Sequence, residues 1–397
     1  MADYGYKISN IDFDANFFTG EWANTHIPLN QFDLYSWGNN QYGRIGDNST
    51  INKSSPILIT GSSSWKQIEC KVTQYFATAV KTDGTLWTWG YNVEGALGDG
   101  TTINRSSPVQ TIAEGKNWKQ VSSSFHIMAV KTDGSLWGWG SNSSGQLGFN
   151  VAGVLYRSSP VQLDGPKNWK QVSCGSNFTC AIKIDGTLWS WGTAGAHLGI
   201  NSYTALLNYS SPVQIGSGQD WKVVSAGIGS TDAGPNLRAH GAAIKSDGTL
   251  WLWGYNTSGQ LATNDLVDRS SPVQTISSGT WKQVSCGDGT TCAIKSDNTL
   301  WSWGYNPDGE LGDNTIISRS SPVQIGSASW KQVFCTNLNT HGIKTDGTLW
   351  SWGRSLTGNL GDSGVAGVDR SSPVQLGTDT TWTSVGGGAA IKNIGYY

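Results

Sequence analysis

The chain has 397 residues, a formal charge of −2 and only 14% charged residues, with neither sign gathered into blocks, which argues against nucleic acid as a partner. Glycine, at 52 residues, together with abundant Ser, Thr and Asn, suits short strands joined by many turns, so helix should be nearly absent. No apolar run reaches membrane-spanning length and the start lacks a basic and apolar leader, so neither insertion nor classical secretion is expected, and the chain reads as cytoplasmic or incorporated in a virion.

Residues 1–31 come first and carry Tyr4, Tyr6, Phe13, Phe17, Phe18 and Trp22 among polar residues. So aromatic a segment makes a poor solvated linker and is expected to fold back or to dock on another subunit. It is set apart as an N-terminal extension, and residues 32–397 are read as one repeated domain. From Leu34 a pentapeptide recurs seven times: Leu34–Gly38, Leu86–Gly90, Leu136–Gly140, Leu188–Gly192, Leu250–Gly254, Leu300–Gly304 and Leu349–Gly353, mostly as LWSWG. Ser-Ser-Pro, ending at Pro56, Pro108, Pro160, Pro212, Pro272, Pro322 and Pro373, also counts seven, as does Trp-x-x-Val/Ile, from Trp65 to Trp382. Three landmarks with one count, at a period near fifty, mark a repeat architecture.

Within a unit the order is a strand at WKQVS, a loop, a strand at AIK, a turn, a strand at TLWSWG, a long loop and a strand at PVQ. That is a four-stranded meander. The turn is Asp-Gly in most units and Asp-Asn at Asp297, read as a two-residue hairpin in which Gly or Asn takes a positive φ. The first pentapeptide has no AIK strand before it, while Trp382 and Ala390-Ile391-Lys392 come last. One blade is therefore split between the ends. The expected fold is an all-β, seven-bladed β-propeller of four-stranded antiparallel blades, its ring closed by pairing of N- and C-terminal strands.

With LWSWGxNxxGxLG, Pro-Val-Gln, Trp-x-x-Val and AIKxDG, clearest at Leu86–Gly98, Leu136–Gly148 and Leu300–Gly312, residues 32–395 closely resemble the regulator of chromosome condensation repeat family. The resemblance implies a seven-bladed propeller. It leaves function open among exchange factors for a small GTPase, chromatin binders, a plant ultraviolet receptor and a bacterial β-lactamase inhibitor. Chromatin binding would want a basic tail, yet residues 1–31 hold Asp3, Asp12, Asp14 and Glu21 against Lys7. Twenty of the 21 Trp residues fall in the repeated slots, so they are read as core; only Trp22 lies outside.

No catalytic residue is nominated, and no cofactor or metal site: His26, His126, His197, His240 and His341 lack ligand spacing, and no nucleophile–base pattern recurs. His126 and His240 occupy one repeat slot and read as hydrogen-bonded structural side chains. Cys174 with Cys180, and Cys286 with Cys292, flank the loop between the first two strands, as buried thiols or as disulfides. The basic residue before Ser-Ser-Pro (Lys53, Arg105, Arg157, Arg269, Arg319, Arg370) is expected to contact the acidic residue after Leu-Gly, with an anion-binding ring as the alternative.

Specific function should lie where units differ. The loops after WKQVS and after LWSWG emerge on one face, and they vary at Phe149–Tyr156, Ile200–Tyr209, Gly229–Ala239, Thr263–Asp268 and Gly364–Asp369. Partner contacts are assigned there to Tyr156, Tyr203, Leu206, Asp232, Asn236 and Arg238. The expected function is a non-catalytic binding or scaffold propeller with protein partners, as a structural or host-attachment component of a phage virion. A soluble regulator of nucleotide exchange and a lectin recognising a surface glycan are the alternatives.

Overall fold

The computed structural model describes residues 31–60, 64–70, 75–113, 115–150, 155–202, 208–229, 238–364 and 367–394. Seven four-stranded antiparallel sheets stand around a central channel, and we number the first six by the tryptophan that opens each: Trp65, Trp118, Trp169, Trp221, Trp281 and Trp330. Blade 1, for example, runs outward from the channel through Trp65–Glu69, Phe76–Lys81, Leu86–Gly90 and Arg105–Gln110. Blade 7 joins the two ends of the chain: Trp382–Val385 and Ala389–Ile394 form its inner half, Gln31–Gly38 and Lys53–Leu58 its outer half. The seam runs in unbroken antiparallel register from Gln31↔Ile394 to Ser36↔Ala389. The expected closure is therefore the observed one, and the sole helical element among the described residues is the single turn Ala196–Leu198.

The repeated letters translate into repeated bonds. Lys81 N–H donates to the Thr85 carbonyl at 2.9 Å and Gly84 N–H to the Lys81 carbonyl at 3.0 Å, so the hairpin loop has three residues, Thr82–Gly84. This corrects the two-residue expectation: Asp83 stays in a right-handed turn conformation and only Gly84, at φ +79°, is left-handed. A Cβ at Gly84 would lie 2.2 Å from the Lys116 carbonyl oxygen, which explains the glycine twice over. The freed Asp83 carboxylate accepts from the Thr85 hydroxyl at 2.7 Å, and that hydroxyl accepts from Trp87 Nε1 at 2.9 Å. The string Asp-Gly-Thr-Leu-Trp is thus one hydrogen-bonded relay, repeated in blade 6 by Asp346, Thr348 and Trp350.

The two tryptophans of the pentapeptide do different work. The first is half-buried, and its ring and that of the opening Trp receive the strand-two lysine: Lys344 Nζ lies 3.4 Å from the Trp350 centroid and 5.3 Å from that of Trp330. The same sandwich forms in all seven blades, with Lys392 over Tyr35 and Trp382 in the seventh. The second tryptophan is buried and reaches into the preceding blade, where its indole N–H donates to a loop carbonyl: Trp89 to Arg44, Trp139 to Ala96, Trp191 to Gln146, Trp253 to His197, Trp303 to Gln260, Trp352 to Glu310 and Trp37 to Asn359, all at 2.8–3.1 Å. The glycine of Leu-Gly sits against that indole; a Cβ on Gly98 would come within 2.7 Å of Trp139 Nε1.

The core is correspondingly divided into clusters lying between neighbouring blades, such as Leu188 and Leu198 with Val224 and Trp253. Burying one tryptophan is worth roughly 4–6 kcal/mol gross, at about 25 cal/mol per Å², before entropy is subtracted. Polar bonds tie the inner strands together at the channel. Gln67 donates to the Val121 carbonyl at 2.7 Å and accepts from Val121 N–H at 3.1 Å, bridging blades 1 and 2. Gln120, Gln171, Gln283 and Gln332 repeat the clamp toward Val172, Val224, Val333 and Val385. At the joint between blades 4 and 5 the slot holds Val223, and at the joint between blades 7 and 1 it holds Ser384.

Register also decides the cysteines. Cys174 faces Thr179 and Cys180 faces Ser173, while Cys286 faces Thr291 and Cys292 faces Ser285. Members of each pair therefore point to opposite sides of their sheet, and all six cysteines are buried thiols outside any disulfide. The basic residue before Ser-Ser-Pro meets its expected partner in Lys53–Asp47, Arg105–Asp99, Arg319–Asp313 and Arg370–Asp362, at 2.7–3.2 Å. Blade 4 exchanges two slots, Thr263 standing where Asp99 stands and Asp265 where Thr101 stands, and Arg269 pairs with Asp265 at 2.7 Å.

Candidate interaction face

Backbone hydrogen bonds define the two faces. On one, each Asp-Gly turn receives the first residue of the next blade, as in Trp118 N–H to the Gly84 carbonyl and Trp169 N–H to the Gly134 carbonyl, both at 3.0 Å. On the other, the loop after the inner strand lies beside the loop after the third strand, as in Tyr91 N–H to Tyr75, Tyr305 N–H to Gly289 and Arg354 N–H to Leu338. Both classes of variable loop thus open on one face, as the meander requires.

Of the residues assigned to contacts there, Tyr203, Leu206, Asp232 and Asn236 lie outside the described residues, as do Tyr4, Tyr6, Phe13, Phe17, Phe18 and Trp22. Tyr156 opens the outer strand of blade 2 and is 49% exposed. Arg238 belongs to the inner loop of blade 4, so the two sit on non-adjacent blades. Arg238 stacks its guanidinium 3.9 Å from the Tyr305 ring centroid and places Nη1 3.6 Å from Asp288 Oδ2. Thr263–Asp268 is a scaffold loop after all. Asn256 donates to Thr263, Asp265 and Val267 there, as Asn92 donates to Asp99, Thr101 and Ile103 in blade 1.

The loop face also holds an aromatic sector that the search for long loops missed. Tyr42 packs on Tyr91 and Tyr75, with ring centroids 4.8 and 5.1 Å apart. Beside them is a cleft of about 260 Å³ walled further by Phe76, Phe125 and Glu94. Single-residue departures from the repeat were the signal: Tyr42 stands where other units carry Glu94, Ser144, Ser258, Asp308 and Thr357, and Tyr75 where they carry Phe125, Asn177, Ala239, Gly289 and Leu338.

Among the described residues, no group of three or more His, Cys, Asp or Glu is placed to hold a metal ion. His126 and His240 are buried strand residues, each spanning to the next blade through a threonine: Nε2 lies 2.6 Å from Thr179 Oγ1 and 2.8 Å from Thr291 Oγ1 respectively. Burial pushes His240 and His197 down to about 4, and His341 to about 3. Glu310 behaves oppositely. Sealed between blades 5 and 6, its carboxyl is pushed up to about 8 by burial. Its Oε2 accepts from Asp308 N–H at 3.0 Å, while Oε1 has no hydrogen-bond partner among the described residues.

Fold and repeats together define a closed seven-bladed β-propeller. The chain belongs to the RCC1-like domain family, whose model matches residues 33–391. It is 27% identical to the Ultraviolet-B receptor UVR8 of Arabidopsis thaliana, over 64% of this chain and 57% of that protein. It is 26% identical to the E3 ubiquitin-protein ligase HERC2 of Homo sapiens, over 66% of this chain and 4% of that one. The chain therefore spans little more than half of one such relative and a small part of the other. Among solved structures, yeast RCC1 (Prp20) bound to Kap60 superposes with a TM-score of 0.77 at 18% identity, covering 96% of this chain and 97% of that one. Human WBSCR16 gives 0.75 at 18%, covering 92% and 98%. These likenesses carry the fold.

Proposed function

We propose that the chain is a non-catalytic binding propeller that receives a protein partner on its loop face and is held in a larger assembly by residues 1–31. The observation that carries this reading is the asymmetry of the ring. Seven units agree where their side chains lock blade to blade, and depart from one another on one face, with tyrosines, Arg238 and Glu94 among the departures. Strand Gln31–Gly38 begins on the Asp-Gly face, so a tether there would leave the loop face outward. Protein binding also accords with a similar fold, that of yeast Prp20p, described for its binding to Gsp1p and histones.

The finer assignment, a structural or host-attachment component of a phage virion, rests on the aromatic opening segment and the low-charge loops. The test is deletion of residues 1–31 together with photo-crosslinkers placed at Tyr156 and at Lys116, on opposite faces. Crosslinks from Tyr156 alone, and loss of particle incorporation on deletion, are the expected results. Full incorporation of the deletion variant, or crosslinks from Lys116 alone, would sink the reading. Accelerated nucleotide release from a small GTPase would favour the exchange-factor alternative, and glycan binding lost on loop substitution would favour a lectin.

A further inference from the structure

We propose that the aromatic cleft of blade 1 is a receptor pocket for an arginine side chain of a protein partner. This deepens the loop-face reading and rests on it. The molecule itself shows twice how this face holds a guanidinium. Tyr305, the residue after the fifth Trp-Gly, carries Arg238 over its ring at 3.9 Å, with Asp288 3.6 Å away. Asp308, two residues before Glu310, meets Arg354 of the next blade at 3.6 Å.

Blade 1 keeps the ring of the first arrangement and the carboxylate of the second. Tyr91 stands in the slot of Tyr305, and Glu94 in the slot of Asp308. In place of Arg354, however, blade 2 supplies Ser141. Glu94 is exposed and makes no ion pair or hydrogen bond among the described residues. Arg44 is the cation nearest the rings. It is buried to 4% exposure, lies 5.5 Å from the Tyr75 centroid and donates Nε to the Asn39 carbonyl, and it does not line the cleft.

What remains is a cleft of about 260 Å³ with Phe76, Phe125 and the tyrosines as apolar walls and a free carboxylate at its rim. An arginine fits that chemistry in both halves. Its planar head can stack on a phenol ring while its N–H edge meets Glu94, and its methylene stem covers the phenylalanines. A lysine ammonium, compact and strongly hydrated, uses the flat walls less well.

The probe is the capped tripeptide acetyl-Gly-Arg-Gly-amide, titrated into the full chain with ring-labelled tyrosine and followed by NMR. Saturable shifts of Tyr75 and Tyr91 are expected, with a Kd on the order of 1–10 mM for so small a ligand. Glu94→Gln and the citrulline peptide should each weaken binding about tenfold, and Tyr91→Ala should abolish it. Equal binding of the citrulline or lysine peptide, unchanged affinity in Glu94→Gln, or saturation by methyl glucoside instead of the arginine peptide would each overturn the assignment. Crosslinking from Tyr156 in a chain whose cleft fails these titrations would leave the loop-face reading standing and remove only the pocket.

Discussion

On the face of the Asp-Gly turns every unit sets a lysine between two aromatic rings and, in six of the seven, ties an aspartate to a hydroxyl and the hydroxyl to an indole; on the loop face the same units hold a tyrosine cluster, a stacked arginine and a buried glutamic acid at different blades. What differs is whether another repeated residue, in the same blade or the next, depends on the side chain. Where one blade's side chain satisfies the next blade's backbone, change is costly and the letters repeat. Where a side chain ends in solvent or against a loop, each blade is free to diverge.

That contrast can be broken most forcibly at the indole ties. Trp352→Ala removes a buried ring and leaves the Glu310 carbonyl with the Thr340 hydroxyl as its remaining donor, and should cost about 3–5 kcal/mol in urea unfolding. A loss under about 1 kcal/mol would show that the blades do not depend on these ties.

The next effect is of opposite sign. Gln146 and Gln260 fill the slot of Glu310 and accept the same backbone bond, from Ser144 at 2.8 Å and Ser258 at 2.9 Å. With its folded value near 8 against an ordinary 4.5, Glu310 stays protonated in the fold while the unfolded chain ionises. The contribution of Glu310 to stability should therefore decline as pH rises from 4.5 to 8 and then level off. Glu310→Gln should abolish that decline and gain on the order of 3 kcal/mol at pH 8, with no gain below pH 4.5. Below pH 6.5 both proteins should weaken together, because His197, His240 and His341 stay neutral in the fold while the unfolded chain takes up protons. Parallel wild-type and variant curves across pH 5–8 would refute the account of Glu310.

The smallest effect sharpens the comparison from inside the channel. Val223→Gln restores the missing clamp toward Val284 and should add about 1 kcal/mol, slowing hydrogen exchange at the Val284 amide. No change in that amide would mean the clamps are ornamental.

The ring was legible because inter-blade bonds demand particular residues. Leu-Gly, Asp-Gly-Thr and the two tryptophans each answer a neighbour that recurs at a fixed spacing. The candidate site was legible only in part, since loop length drew attention to Thr263–Asp268, where an exchange of Thr and Asp preserves the common network. The tyrosine cleft escaped notice because Tyr42, Tyr75 and Phe125 come from three blades, and only folding brings them to one opening. The cysteine pairs were ambiguous for a similar reason: a one-residue step in register turns a bridgeable pair into residues on opposite sides of a sheet.

The seam in blade 7 also bears on time. Ser36 donates its hydroxyl to the Gly388 carbonyl across 352 positions of chain, and no earlier stretch can stand in for that strand. Six blades can assemble from consecutive strands as they are synthesised, but the ring can be sealed only after the last strand exists, and so long a closure is entropically slow. Until then Gln31–Gly38 presents an unpaired edge, and loss of the final strand would leave all seven opening tryptophans in an arc that never closes.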